Sequence, residues 1–287
     1  MKPIRDLHPA TCTLYFLAAL SAGLIAGDIF VMALSLLTAL CVQKQITGRA
    51  RAGLPLIIAV LSALINPLFS HNGETALFML NGNAVTLEAL LYGLYMGIMI
   101  GSALTWFDAF SHLMTGDRVL CVCGLLSNRL ALMISMAMRY VPLLKRQARA
   151  IRDAQKVTGR YRAETALDKL RAGLFVFSAL VTWALENGIT TADSMTARGY
   201  DTGKRTQFND YRFARHDARV SGIIVLLLGG IIVLKVCGFT GTQFYPAFLT
   251  ADIRSVYAIA AMLLLGLLPI LNDTGYQLKW QYLTSKI

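Results

Sequence analysis

Charge is scarce in this sequence. Asp, Glu, Lys and Arg make up 15% of its 287 residues, where a soluble domain carries about a quarter. That deficit, with 56% hydrophobic residues and a mean hydropathy of +0.56, excludes an ordinary water-soluble domain. Several runs approach the roughly 17–25 apolar residues that cross a bilayer. The chain therefore reads as an integral membrane protein. No cleavable leader is expected either, because the first apolar run starts near Thr13 and continues to Val42 with no clean small-residue cleavage site followed by a soluble body.

Metal and catalytic signatures are equally sparse. The five cysteines, Cys12, Cys41, Cys121, Cys123 and Cys237, all sit in or beside apolar runs. The Cys121-Val-Cys123 spacing is not that of a zinc or redox site, so they read as small hydrophobes. His8, His71, His112 and His216 are far apart, and none forms a metal pair on a helix. There is no glycine-rich phosphate loop ending in Gly-Lys-Ser/Thr, no HExxH metal motif and no GxSxG nucleophile elbow. The chain reads as a non-enzyme with no cofactor of its own.

What is present is a series of apolar segments. The run Leu14 to Val42 is too long for one perpendicular crossing, at about 43 Å against a hydrocarbon core of about 30 Å. Gly27-Asp28 interrupts it and predicts a tight turn between two short helices. Further segments cover Leu54 to Phe69, Ala84 to Phe107, Val220 to Cys237 and Val256 to Leu271. Five or six crossings are open on this pattern, and basic residues favour six. Placing Lys2 and Arg5 inside returns Lys44, Arg49 and Arg51 to the inside, puts the loop at Glu74 and the Arg254 loop outside, and brings the tail with Lys279 and Lys286 back inside. That satisfies the positive-inside rule, with both termini cytoplasmic. Ala89, Gly93, Gly97 and Gly101 recur every four residues, as do Ala19, Gly23 and Gly27. Such stripes let helices approach closely in lipid, either within the bundle or at a face for another membrane subunit. Asp28 and Glu88 fall near segment ends, where a hydrated interface suits them.

The remaining charge is concentrated. Fifteen of the 27 Lys and Arg lie between Lys145 and Arg219, with eight acids, so this stretch holds +7 of the formal +11. Three regions follow: membrane helices over 1–117, a cytoplasmic region of coupling helices over 118–218, and membrane helices over 219–287. Arg118, Arg129 and Arg139 suit an amphipathic interfacial helix better than a buried span. Pro142 predicts a helix start or kink. Lys145, Arg149, Arg152 and Lys156 then fall on one helical face, with Leu144, Ala148, Ile151 and Gln155 on another. Arg149 and Asp153 have pairing spacing, and Gly159 predicts a stop. Past a connector with Arg160, Arg162 and Glu164, a helix is expected from about Ala166 to Glu186. Another should end at Met195-Thr-Ala-Arg-Gly-Tyr200, with Gly199 as a left-handed cap and Arg198 in the last turn.

Three stretches carry a family resemblance: Ala137-Met-Arg-Tyr-Val-Pro-Leu-Leu144, Ala148-Arg-Ala-Ile-Arg-Asp-Ala-Gln155 and Ala192-Asp-Ser-Met-Thr-Ala-Arg-Gly-Tyr200, with Lys204-Arg-Thr206 after them. Their succession resembles the transmembrane T component of energy-coupling factor (ECF) transporters, ABC-type importers of vitamins and metal ions. The resemblance implies an all-α polytopic membrane bundle with an insert of amphipathic coupling helices, in the cytoplasmic membrane of a bacterium or archaeon. It implies two cytosolic ABC ATPase subunits as partners, which bind ATP and Mg, and a membrane substrate-binding S component. In that family two short Ala-Arg-Gly motifs dock into the ATPases. The second matches here as Ala197-Arg198-Gly199. The first falls on Lys156-Val157-Thr158-Gly159, a degenerate motif with Thr158 where arginine is expected.

Other readings remain open at this level. A stand-alone secondary transporter would carry its own midplane site, and Gly27-Asp28 and Asn66-Pro67 could mark broken helices, but no repeat relates the two halves. A membrane enzyme or lipid scaffold would use the basic stretch on acidic lipid. Nucleic acid is not an expected partner, because topology and helix faces account for the basic residues.

Overall fold

A computed structural model describes residues 7–70, 73–80, 83–159, 165–200, 202, 211, 213–242 and 256–284. They form nine α-helices and one two-stranded hairpin. The chain divides into two compact units, one of residues 1–119 with 211–287 and the other of residues 120–210.

In the first unit, α1 (Pro9–Ala26) starts on a proline, whose missing N–H costs nothing there. The His8 side chain accepts the Ala10 N–H at 3.2 Å. Burial holds the His8 imidazole below its ordinary pKa, with Asp217 opposing, and a neutral ring is what this bond requires. Gly27 takes a left-handed φ of 71°, and α2 (Ile29–Thr47) follows directly. The expected break at Gly27-Asp28 is therefore a real turn between two helices. Next come α3 (Gly53–Phe69), strands β1 (Ala76–Leu80) and β2 (Asn83–Thr86), and α4 (Leu87–Leu113). The sequence pattern predicts a loop over 70–83 and a helix from Ala84. The structure instead pairs β1 and β2 antiparallel and starts α4 after Thr86, whose hydroxyl caps the Ala89 N–H at 3.3 Å. The unit closes with α8 (Arg215–Val236) and α9 (Val256–Thr284).

Helix α1 lies in the main core, where Cys12, Tyr15, Phe16 and a run of alanines meet α2, α4, α8 and α9. Trp106 of α4 is 1% exposed. Its Nε1 donates to Ser35 Oγ on α2 at 3.1 Å, and its ring meets Tyr15 and Phe16 edge-on. The glycine stripe faces α3. A Cβ on Gly97 would lie 2.5 Å from Ala59 Cα, and one on Gly93 or Gly101 would meet Asn66 or Pro55 at 2.7 and 2.9 Å. Asn66 Nδ2 donates to the Ala89 carbonyl at 2.6 Å, tying α3 to α4. Of the two uses a small-residue stripe has, this one serves packing inside the bundle. On the other side of α3, Leu56, Ile57, Leu64 and Phe69 are exposed.

The two acids near segment ends are buried among connecting segments. Asp28 is fully buried and accepts the Thr242 hydroxyl at 2.8 Å. Glu88 is also buried and accepts the Thr75 hydroxyl at 2.7 Å. Both are paired to connecting segments, which the local sequence pattern could not show.

The second unit holds most of α5 (Gly116–Leu126), with α6 (Asn128–Val157) and α7 (Ala166–Ala197). Of the two roles predicted for Pro142, a helix start is excluded, because α6 runs through it. The two helices expected between Ala166 and Ala197 are one, 32 residues long. Polar side chains at the supposed break bond back into their own helix: Asn187 Nδ2 donates to the Trp183 carbonyl and Thr191 Oγ1 to the Asn187 carbonyl. The faces of α6 agree with the sequence pattern, with Lys145, Arg149, Arg152 and Lys156 exposed and Leu144, Ala148, Ile151 and Gln155 more buried.

Six helices among the described residues are long and apolar enough to cross a membrane: α1, α2, α4, α7, α8 and α9. The count matches the favoured expectation but the membership differs. The set includes α7, while α3 has 17 residues, or about 26 Å of helix. The Arg254 loop, the N-terminal Lys2 and Arg5 and the tail's Lys286 lie outside the described residues.

Replacing Gly97 with leucine should force α3 off α4 and cost about 1–3 kcal/mol. Gly222, with open space around it, should accept leucine within about 0.5 kcal/mol. Thermal unfolding of the two detergent-purified variants checks the difference; equal midpoints would refute the close α3–α4 packing.

Candidate functional site

Both long helices of the second unit end on glycine in the left-handed region, Gly159 at φ 70° and Gly199 at φ 81°. At the end of α7, the Gly199 N–H donates to the Thr196 carbonyl and the Tyr200 N–H to the Met195 carbonyl, each at 3.0 Å. These are the two bonds of a Schellman cap. At the end of α6, the Gly159 N–H donates to the Lys156 carbonyl at 3.1 Å, the same inner bond. The two motifs singled out in the sequence thus share a left-handed glycine and the inner capping bond, each placing the residue before glycine at an exposed helix end.

Their side chains differ. Thr158 turns its hydroxyl back onto α6, donating to the Ala154 and Gln155 carbonyls at 3.1 Å. Lys156 Nζ lies 3.5 Å from Asp153 Oδ1. Asp153 thus pairs with Lys156 rather than with Arg149 as its spacing suggested. Both groups are exposed, so this pair contributes little. Arg198 is also exposed, and it borders a cavity of about 540 Å³ between α6 and α7. The wall includes Arg139, Asn187, Thr191 and Ser194 as well as Arg198, and among the described residues it carries no carboxylate. The Arg139 guanidinium lies 5.9 Å from the Tyr140 ring centroid.

Tyr140 is the residue that sequence reading missed. Its hydroxyl lies 2.7 Å from Thr191 Oγ1 and donates to the Asn187 carbonyl at 3.3 Å. It ties α6 to α7 just where Arg139 and Arg198 share a cavity. The partners are 47 and 51 residues away, so no local pattern signals them. Of the remaining proposed positions, Ala197 is the last residue of α7 and Val157 the last of α6. Gly93, Gly97 and Gly101 belong to the first unit and meet α3. Arg160, Arg162, Glu164 and Lys204-Arg205-Thr206 lie outside the described residues. Among the described residues no group of three or more His, Cys, Asp or Glu side chains is placed to hold a metal ion. Arg139 and Arg198 thus bring two guanidiniums to one cavity wall, and guanidinium donors of this kind match carboxylate oxygens.

Comparison with known proteins finds a family model described as cobalt transport protein, CbiQ, matching residues 3–208. The energy-coupling factor transporter transmembrane protein EcfT 1 of Listeria monocytogenes is 26% identical over 196 residues, covering 63% of this chain and 73% of the relative. EcfT of Bacillus selenitireducens is 28% identical over 183 residues, covering 56% and 68%. EcfT of Heliobacterium modesticaldum is 26% identical over 254 residues, covering 79% and 92%.

Tyr140→Phe removes both hydroxyl contacts between α6 and α7. We expect the pair to loosen by about 0.5–1.5 kcal/mol, with faster amide hydrogen exchange in α7 around Asn187 to Ser194 and little change in α1. Unaltered exchange there would show that the hydroxyl does not hold the pair.

Proposed function

The chain belongs to the CbiQ family of cobalt transport proteins and is a multi-pass membrane component of the energy-coupling factor type, and from this we propose that it is the coupling subunit of an ECF-type ABC importer. In this reading it transmits the motions of two cytosolic ATPase subunits to a membrane S component that binds a vitamin or metal ion. ATP and Mg belong to the ATPases, and this chain performs no catalysis.

The observation that carries the proposal is the exposed Arg198 on a Schellman-capped helix end, beside a cavity it shares with Arg139. A capped end is rigid, so a force applied to Arg198 is passed to the 32 residues of α7 and, through Tyr140, to α6. A partner carboxylate placed between two guanidiniums gains charge-assisted hydrogen bonds. The shared capping of Gly159 supports a second, weaker docking point at Lys156-Val157-Thr158-Gly159, where the side chain that would reach a partner is folded back.

The length and composition of α7 would also allow a crossing. Charge argues for the cytoplasmic side instead. A crossing α7 would leave Lys145 to Arg171 on one face of the membrane and Arg198 to Arg219 on the other. Keeping α6 and α7 on one side collects all fifteen basic residues of the region there, as the positive-inside rule favours. The exposed apolar residues of α7, including Leu174, Phe177 and Leu185, then serve the bilayer edge or a membrane partner. Because α3 covers the glycine stripe, its own outer face is the surface offered to lipid or to the S component.

Arg198→Glu should weaken association with the ATPase subunits at least about tenfold, equivalent to about 1.4 kcal/mol, and abolish uptake while the bundle stays folded. Pull-down and vesicle uptake measure this, and wild-type behaviour in both would remove Arg198 from the interface. Uptake by the purified chain alone, without ATP, would favour a stand-alone transporter. Thr158→Arg should leave coupling intact or improve it, read as ATPase turnover and uptake in the assembled complex. Severe loss would mean that the end of α6 is not a docking point.

A further inference from the structure

Where α2 stops at Thr47 and α4 at Leu113, the surface of the first unit folds into a cavity of about 520 Å³. Arg49, Arg51, Arg118 and His112 line it, and among the described residues no carboxylate does. Its apolar lining, Ile46 and Leu113, is buried. The basic residues are held in place by the backbone. Gln43, 2% exposed, accepts the Arg51 N–H at 3.0 Å, and the Thr47 hydroxyl donates to the Arg49 carbonyl at 3.0 Å. Among the described residues, no acid forms an ion pair with Arg49 or Arg51. Asp108 accepts Gln43 Nε2 at 2.7 Å and lies 3.8 Å from His112 Nε2, and Asp117 is on α5 outside the lining.

Helix capping explains only part of this cluster. Arg118 Nη1 donates to the Leu113 carbonyl at 3.3 Å, serving the end of α4. The end of α2 already has the Gly48 N–H on the Lys44 carbonyl and Lys44 in its last turn. Arg49 and Arg51 are thus surplus to capping, yet they share one concavity with a third guanidinium. Like charges so gathered repel unless an anion joins them.

We propose that this cavity binds the phosphate of an anionic phospholipid headgroup. Arginine forks match phosphate oxygens bidentately. The cavity lies at the ends of two helices able to cross a membrane, on the side that the positive-inside rule assigns to the cytoplasmic leaflet, where anionic lipid concentrates. Nothing in this assignment depends on the coupling role proposed for Arg198.

The test uses the full chain in phosphatidylcholine nanodiscs containing phosphatidylglycerol, with retained lipid read by native mass spectrometry. Wild-type protein should retain phosphatidylglycerol over phosphatidylcholine. Arg49→Gln with Arg51→Gln should lower that retention about thirtyfold, at about fivefold per arginine. Arg118→Lys, which keeps the charge but loses the fork, should lower it less. Lys44→Gln removes a charge from the same helix end outside the cavity and should have little effect. Displacement of the lipid by inorganic phosphate would support the same phosphate chemistry and identify a soluble ion as a second source. Unchanged retention in the double variant would overturn the proposal, as would an equal loss per charge at Lys44, which would reduce the effect to general surface attraction.

Discussion

The membrane unit depends on how closely α4 approaches its neighbours. Between helices in lipid there is no gain from hiding apolar surface, since the surroundings are equally apolar; contact distance and satisfied polar groups decide association. Toward α3, Gly93, Gly97 and Gly101 bring the two backbones close enough that any Cβ would collide. Toward α1 and α2, Trp106 fills the space with a ring and spends its one donor on Ser35. The same economy appears at the helix ends. Asp28 holds the loop after α8 through Thr242, and Glu88 holds the segment before β1 through Thr75. Acids that would be costly unpaired in lipid fasten connections instead.

The second unit solves a different problem. Few of its side chains are buried, so hydrophobic packing is not its main order. Polar side chains within its helices bond back to their own carbonyls, and the helices are closed by left-handed glycines. The two ends are alike in backbone and unlike in side chain. In the coupling role proposed for it, this unit would engage partners unequally, firmly at Arg198 and weakly at Thr158.

Much of this was legible along the chain, for local reasons. Apolar runs and their breaks mark helices because backbone polar groups must be satisfied within lipid. Gly27, Gly159 and Gly199 mark helix ends because only a residue without Cβ takes the left-handed conformation cheaply. The amphipathic faces of α6 follow from spacing alone. Where the reading failed, a competing local effect had won. Pro142 starts no helix because α6 is long enough to absorb one missing bond, and Asn187 and Thr191, which look like part of a break, donate to carbonyls of α7. The pairing of β1 with β2 lacked a strong alternating pattern to announce it.

By itself the sequence determined the class of molecule and its likeness to transporter T components. It also placed the basic stretch and the two glycine-ended helices, because each of these rests on composition or on neighbours within one helical turn. Tertiary structure alone decided which partners meet. It turned the glycine stripe toward α3, joined α6 to α7 through Tyr140, set Arg139 beside Arg198, and gathered Arg49, Arg51 and Arg118 around one cavity. These are contacts between residues tens of positions apart, and they depend on how helices cross rather than on what each helix contains.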